Sequence, residues 1–184
     1  MVMRTNKAIF LDRDGILVIP RFSKGRSFAP RSINEFKFYK NIKFYLNKFK
    51  ELGYLNIVVT NQPDIQNGLL SLDVLEKMNK KILNLLPIDD IEFCIHNSKS
   101  NCRRRKPNVG MLEDASKKWN IDLKKSFMIG DRKSDIDSGN RLGIKTIFVD
   151  YNYIETKPLN ANFFVDNIYD AFCYILKLNI QDDK

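Results

Sequence analysis

The chain has 184 residues, 43% hydrophobic and 29% charged, with no apolar stretch of transmembrane length; this fits one domain over residues 1–184 and excludes membrane-spanning helices. Its formal charge of +9 attracts phosphorylated molecules, but lysine is spread along the chain and only Arg103-Arg104-Arg105-Lys106 is locally basic, so nucleic-acid binding is not expected. Three cysteines make no even disulfide set, residues 1–7 lack an apolar signal core, and one histidine excludes multi-histidine metal centres, which together point to a cytoplasmic protein.

The hydrophobic pattern alternates strand and helix. Residues 7–11 predict a buried strand. Residues 16–20 and 36–38 flank a polar loop, 21–34, placed to act as a flap. A helical period over 41–52 (Ile42, Tyr45, Leu46, Phe49) is followed by a strand at 54–60 around Ile57-Val58-Val59. Ser71 caps a helix running to Leu86, and Pro87 stops it. A strand at 91–95, a loop at 96–107 and a helix at 108–119 follow. Then come a short strand at 127–129, a helix at 133–142, strands at 144–149 and 163–165, and a last helix at 167–178. This order implies a three-layer α/β fold, a Rossmann-like parallel sheet with helices on both faces. Ligands of such sheets bind beyond the strand C-termini, at the switch point of the topology.

The chemistry-bearing residues fall at that edge. Asp12-Arg13-Asp14-Gly15 directly follows the first strand. One carboxylate there can attack phosphorus while its neighbour two residues on moves protons. The Asp-x-Asp-Gly pattern also opens calcium loops, but the apolar run Ile16-Leu17-Val18-Ile19 after it supplies no further oxygen ligands. Thr60-Asn61-Gln62 ends the second core strand, where a hydroxyl and backbone amides can hold phosphate oxygens. Lys106, before Pro107, can neutralise charge on a transferring phosphoryl group. Asp131 can complete a hard oxygen site for magnesium, and Asp135, one helical turn on, can orient Lys106 or a metal-bound water.

In order and spacing these segments resemble the haloacid dehalogenase-like (HAD-like) phosphohydrolases, whose four motifs match Asp12-x-Asp14-Gly15, Thr60, Lys106 and Gly130-Asp131-x-x-x-Asp135 over residues 7 to about 150. Phe10 to Gly15, Thr60-Asn61-Gln62, Arg105-Lys106-Pro107 and Gly110-Met111 resemble the branch of heptose bisphosphate and histidinol phosphatases, which lacks a large cap domain. The resemblance implies an aspartyl-phosphate on Asp12, general acid–base work by Asp14, and Mg2+ held by Asp12, Asp131 and the backbone carbonyl of Asp14. It also implies phosphoryl contacts from Thr60, Asn61 and Lys106, with Gln62 and Arg105 on the substrate side. The substrate implied is a small phosphorylated sugar, a heptose 1,7-bisphosphate cleaved at position 7 in nucleotide-heptose biosynthesis. Histidinol phosphate, a nucleic-acid 3′-phosphate, or binding without turnover are the alternatives; no membrane partner is expected, and a monomer is.

The same branch carries a zinc loop, Cys-x-His then Cys-x-Cys. Here Cys94, His96 and Cys102 stand in three ligand positions, with a spacer of five residues, but Arg104 takes the fourth. A guanidinium cannot ligate zinc and structural zinc takes four ligands, so zinc is not expected. Cys173, in the last helix, is read as core. The arginines of this loop then become candidates for phosphate or sugar contacts, Arg105 foremost, with Arg104 as a second grip.

Overall fold

A computed structural model describes residues 5–182; residues 1–4, part of the segment read as lacking a signal core, and 183–184 lie outside them. The elements are β1 (Lys7–Leu11), β2 (Arg21–Ser23), β3 (Arg26–Phe28), α1 (Ile42–Glu51), β4 (Tyr54–Asn61), α2 (Leu72–Leu85), β5 (Asp90–Cys94) and α3 (Gly110–Trp119). After a 3-10 turn at Leu123–Lys125 come β6 (Phe127–Gly130), α4 (Lys133–Arg141), β7 (Lys145–Val149), β8 (Phe163–Val165) and α5 (Ile168–Asp182). Six strands form one parallel sheet in the order β5-β4-β1-β6-β7-β8. The chain winds outward from β1 through β4 to β5, crosses to β6, and winds outward again. The switch point therefore lies between β1 and β6, where the Asp12 N–H donates to the Ile129 carbonyl at 3.0 Å.

β1 is apolar on both faces because both are covered. Ile9 and Leu11 meet Leu46 and Phe49 of α1, Met78 of α2 and Phe172 of α5. Ala8 and Phe10 meet Met111, Leu112 and Ala115 of α3. On that second face α4 packs closely, with Gly139 against Thr146 and Met128. Each fully buried large side chain in these two layers contributes about 1.5–3 kcal/mol of burial free energy. The rigid sheet fixes the loops at its C-terminal edge. Among the described residues no helix is long and apolar enough to cross a membrane.

Three features differ from the sequence reading. The polar flap holds a small hairpin, β2 against β3, closed by Lys24 and Gly25, both at positive φ (50° and 73°); the alternation across Arg21–Phe28 is too short to stand out from loop composition. α5 runs four residues further than expected, and Asn179 at its end accepts from Tyr54 Oη at 3.1 Å and Lys7 Nζ at 3.3 Å. Cys173 is exposed, not core, because α5 turns Ala171, Phe172 and Ile175 to the sheet and leaves position 173 off that face.

Candidate active site

The loops after β1, β4 and β6 and the 96–107 loop meet at one sheet edge. Lys106 is the hub, 3% exposed. Its ammonium donates to Asp12 Oδ1 at 2.8 Å, lies 2.7 Å from Asp135 Oδ1, and donates to the Val59 carbonyl. Asn61 fixes its backbone from both sides: Asn61 Nδ2 donates to Lys106 O, and Lys106 N–H donates to Asn61 Oδ1, each at 3.0 Å. The bond from Lys106 to Pro107 is cis. Burial by itself lowers a lysine's pKa, but the Asp12 and Asp135 carboxylates outweigh it and hold Lys106 above its ordinary value.

Asp131 is buried opposite, and neither of its carboxylate oxygens accepts a hydrogen bond. Asp12, Asp131 and Asp135 each bring an oxygen within 4.8 Å of the others. Burial first, then the charges of Asp12 and Asp135, push Asp131 well above the usual carboxylate range. Burial likewise raises Asp135 to about 6, against the pull of Lys106. Three carboxylates face one ammonium, and a carboxylate with both oxygens unsatisfied is a group that lacks its partner. A hard divalent cation with oxygen preference fits this set. The backbone makes room for it: Gly15 sits at φ +98°, and a Cβ there would stand 2.1 Å from Asp131 Oδ2. Tyr151 Oη donates to the Gly15 carbonyl at 3.0 Å and pins that turn.

Asp14 lies at the mouth of the site. Its Oδ2 accepts from Arg13 Nη2 at 2.9 Å and Gln62 Nε2 at 2.8 Å, while Oδ1 receives only a longer bond from Arg13 Nε, 3.2 Å. Gln62 corrects the sequence reading. It is fully buried, its Oε1 accepts from Arg13 Nη2 at 2.7 Å, and its amide also donates to Thr60 Oγ1 at 2.9 Å. All its side-chain polar atoms are engaged within the protein, which places it to orient Asp14 and leaves no free group aimed at the cleft. Arg13, fully buried against the Phe36 ring, was not singled out from sequence; an arginine between two aspartates reads as an exposed turn residue unless its burial is known.

A cleft of about 220 Å³ opens above these groups, walled by Ser27, Phe28 and Ala29 of the hairpin on one side and by Asn61, Asp64 and Arg105 on the other. Arg105 Nη1 donates to the His96 carbonyl at 2.8 Å, and Arg105 also lines a neighbouring depression with Lys99, Ser100 and Asn108. The other two arginines turn away. Arg104 pairs with Glu92 at 2.5 Å and with Asp114, and Arg103 pairs with Asp114 at 2.6 Å. Arg104 as a second substrate grip is therefore corrected: its guanidinium is held by acids from β5 and α3. Cys94 Sγ lies 3.6 Å from His96 Nδ1 and 3.7 Å from Cys102 Sγ. Among the described residues no fourth His, Cys, Asp or Glu joins them.

Comparison with known proteins shows the family and the fold. The HAD-hydrolase-like family model matches residues 103–171. A D-glycero-beta-D-manno-heptose-1,7-bisphosphate 7-phosphatase of Helicobacter pylori is 36% identical over 149 residues, covering 78% of this chain and 83% of that one. A D-glycero-alpha-D-manno-heptose-1,7-bisphosphate 7-phosphatase of Photorhabdus laumondii is 34% identical over 155 residues, covering 78% and 81%. The crystal structure of a D,D-heptose 1,7-bisphosphate phosphatase from B. bronchiseptica, complexed with magnesium and phosphate, shares the fold with a TM-score of 0.78 at 20% identity, over 93% of this chain and 98% of that one. By the extent of its identity to these relatives, the chain belongs to the haloacid dehalogenase-like hydrolase family that contains the heptose bisphosphate phosphatases.

Proposed function

We propose that this chain is a magnesium-dependent phosphomonoesterase that removes the 7-phosphate of a heptose 1,7-bisphosphate. The observation that carries the reading is the buried quartet of Asp12, Asp131, Asp135 and Lys106 at the switch point, with Asp131 unsatisfied. Lys106 holds Asp12 Oδ1, so the other oxygen of Asp12 is the one that attacks phosphorus. As the Asp12–phosphorus bond forms, the bond to the sugar oxygen breaks, and that oxygen takes a proton from Asp14. Asp14 Oδ1, the less strongly bonded oxygen, carries this proton. Asp14 then takes a proton from the water that attacks phosphorus, and the Asp12 carboxylate is released. Lys106, with Thr60 and Asn61 behind it, balances charge on the phosphoryl oxygens. Asp12, Asp131 and the Asp14 backbone carbonyl would hold magnesium, with Asp135 behind them; the ion supplies Lewis-acid stabilisation of phosphoryl charge.

The walls of the cleft come from loops, which supports a substrate small enough to enter without a cap domain. Arg105, beside the cleft, suits the second phosphate of a bisphosphate. The six strands of one sheet support treating residues 1–184 as one domain. The ion-paired Arg103 and Arg104 support a sugar phosphate over a nucleic acid, since they leave no focused basic patch on this loop. The odd number of cysteines, all of them free thiols, supports a cytoplasmic enzyme, and a monomer is the state we assign. The test is phosphate release from both anomers of heptose 1,7-bisphosphate, from histidinol phosphate and from 3′-phosphorylated oligonucleotides, with Asp12→Asn beside the wild type. The bisphosphate should be preferred and Asp12→Asn inactive though folded. Substantial turnover by that variant removes Asp12 as nucleophile; a preference for 3′-phosphorylated DNA with steep salt dependence removes the sugar substrate.

A further inference from the structure

We propose that Arg132 is a positioning residue that clamps the β2–β3 hairpin over the cleft and so sets which leaving groups the cleft accepts. The inference rests on the phosphomonoesterase reading above. Arg132 directly follows Asp131, and its backbone N–H donates to Asp135 Oδ2 at 3.0 Å, which fixes it at the start of α4. From there its side chain reaches across to the hairpin. Nη2 donates to the Ser27 carbonyl at 2.8 Å and to Ser27 Oγ at 2.6 Å. Nη1 pairs with Glu155 in the loop after β7, and the guanidinium lies over the Tyr153 ring, 5.7 Å from its centroid. The planar fork thus joins the hairpin to the loop after β7.

The hairpin needs such an anchor. Its strands have three residues each, and an isolated hairpin of that size is not stable in water. Its other ties to this side are modest: the Gly25 carbonyl accepts from Ile154 N–H at 2.9 Å, and Phe22 leans on Tyr153 with centroids 5.8 Å apart. Ser27, the residue Arg132 grips, is buried and begins the stretch Ser27-Phe28-Ala29 that walls the cleft. A small phosphate ester needs the quartet and Asp14 but hardly touches this wall. A sugar bisphosphate spans the cleft and depends on where the wall stands.

The experiment compares wild type with Arg132→Ala, Arg132→Lys and Glu155→Gln on heptose 1,7-bisphosphate and p-nitrophenyl phosphate. Limited trypsin digestion, read by mass spectrometry, reports the hairpin itself, because Lys24 and Arg26 are exposed at its tip. Arg132→Ala should raise KM for the bisphosphate about tenfold, well inside the range set by an ångström-scale misplacement, and should change kcat on the aryl phosphate far less. Tryptic cleavage after Lys24 and Arg26 should quicken by about tenfold, the measure of a hairpin freed from a charge-assisted contact. Arg132→Lys keeps the charge without the fork, so it should not restore protection of the hairpin. Glu155→Gln should shift KM and cleavage in the same direction by a smaller factor. Unchanged cleavage in Arg132→Ala overturns the clamp. Equal loss of kcat on both substrates also overturns it and places Arg132 on the phosphoryl group. If the wild type turns over neither compound, the phosphatase reading has failed, and the cleavage pattern still decides for or against the clamp.

Discussion

Replacing Lys106 by Met keeps most of the buried stem and removes the ammonium that stands 2.8 Å from Asp12 and 2.7 Å from Asp135. With all four groups ionised, the cluster of Asp12, Asp131, Asp135 and Lys106 carries a charge of about −2, and the variant about −3. Taking one partner from a buried ion pair costs about 3–5 kcal/mol when the other charge stays behind. Here the charge need not stay. Burial raises Asp131 and Asp135 above their unfolded values, Asp135 to about 6. A carboxylate raised in the folded state favours folding most below its unfolded pKa, near ~4, and that contribution is lost as pH rises through the folded value. Lys106, itself raised, stays charged across this window; its own contribution is lost only as pH rises through a value above the ordinary one for lysine. Without the lysine, the pull that lowers Asp135 is gone and its pKa climbs further. Each unit of that climb is worth about 1.4 kcal/mol. In metal-free protein the cost of Lys106→Met should therefore approach ~4 kcal/mol at pH 8 and fall by ~1–3 kcal/mol at pH 5, where the carboxylates take up protons. Urea unfolding in chelator at the two pH values measures this. An equal cost at both, or a cost below ~1 kcal/mol at pH 8, would show that Lys106 does not carry the charge balance of the site.

Asp14→Asn should lose about two to four powers of ten in kcat, the usual weight of general acid–base catalysis, without loss of fold; near-normal turnover would assign the proton to another group. Gly15→Ala places a Cβ 2.1 Å from Asp131 Oδ2 at a φ of +98°, so the rise in melting temperature that magnesium gives the wild type should shrink or vanish, and a full rise would show that the Asp131 carboxylate is not where the ion sits. Elemental analysis should find far less than one zinc per chain, because Arg104 is committed to Glu92 and Asp114; one tightly held zinc per chain would mean that the Cys94, His96 and Cys102 donors recruit a ligand from outside. Arg105→Ala should erase most of the preference for bisphosphate over the matching monophosphate, and a retained preference would place the second phosphate elsewhere.

The sheet and the acidic edge were legible because both rest on local rules. A short apolar run such as Ala8-Ile9-Phe10-Leu11, bounded by polar residues, fits a strand covered on both faces, and an Asp just past its end falls at the sheet edge where the switch point lies. Asp12, Asp131 and Asp135 fit that placement, whereas Lys106 is singled out only by the family motifs that the chain resembles. What stayed hidden depends on contacts between distant segments. Gln62 looks like a substrate ligand because it adjoins Thr60 and Asn61 at a strand end; its burial comes from Arg13, 49 residues earlier, folding inward rather than outward. Arg104 looks like a free cation until Glu92 of β5 and Asp114 of α3 are seen to close on it. The hairpin was unreadable for a similar reason, since three-residue strands acquire their place through contacts with distant segments, such as Ser27 with Arg132 and Gly25 with Ile154.

The two arginines flanking the reacting groups therefore serve opposite sides of one problem. Arg13 works from beneath: bonded to Asp14 and to Gln62, it holds the proposed proton carrier against the end of β4. Arg132 works from above, through Ser27 and Glu155, on the wall that the leaving group meets. Among the described residues neither hydrogen-bonds Asp12 as Lys106 does, so the proposed mechanism gives neither a part in the attack on phosphorus. A catalytic quartet set on a rigid sheet edge can stay constant while a clamp on a three-residue hairpin changes, and substitutions at Arg132 and Ser27 should move substrate preference with less effect on turnover of small esters than substitutions of the quartet.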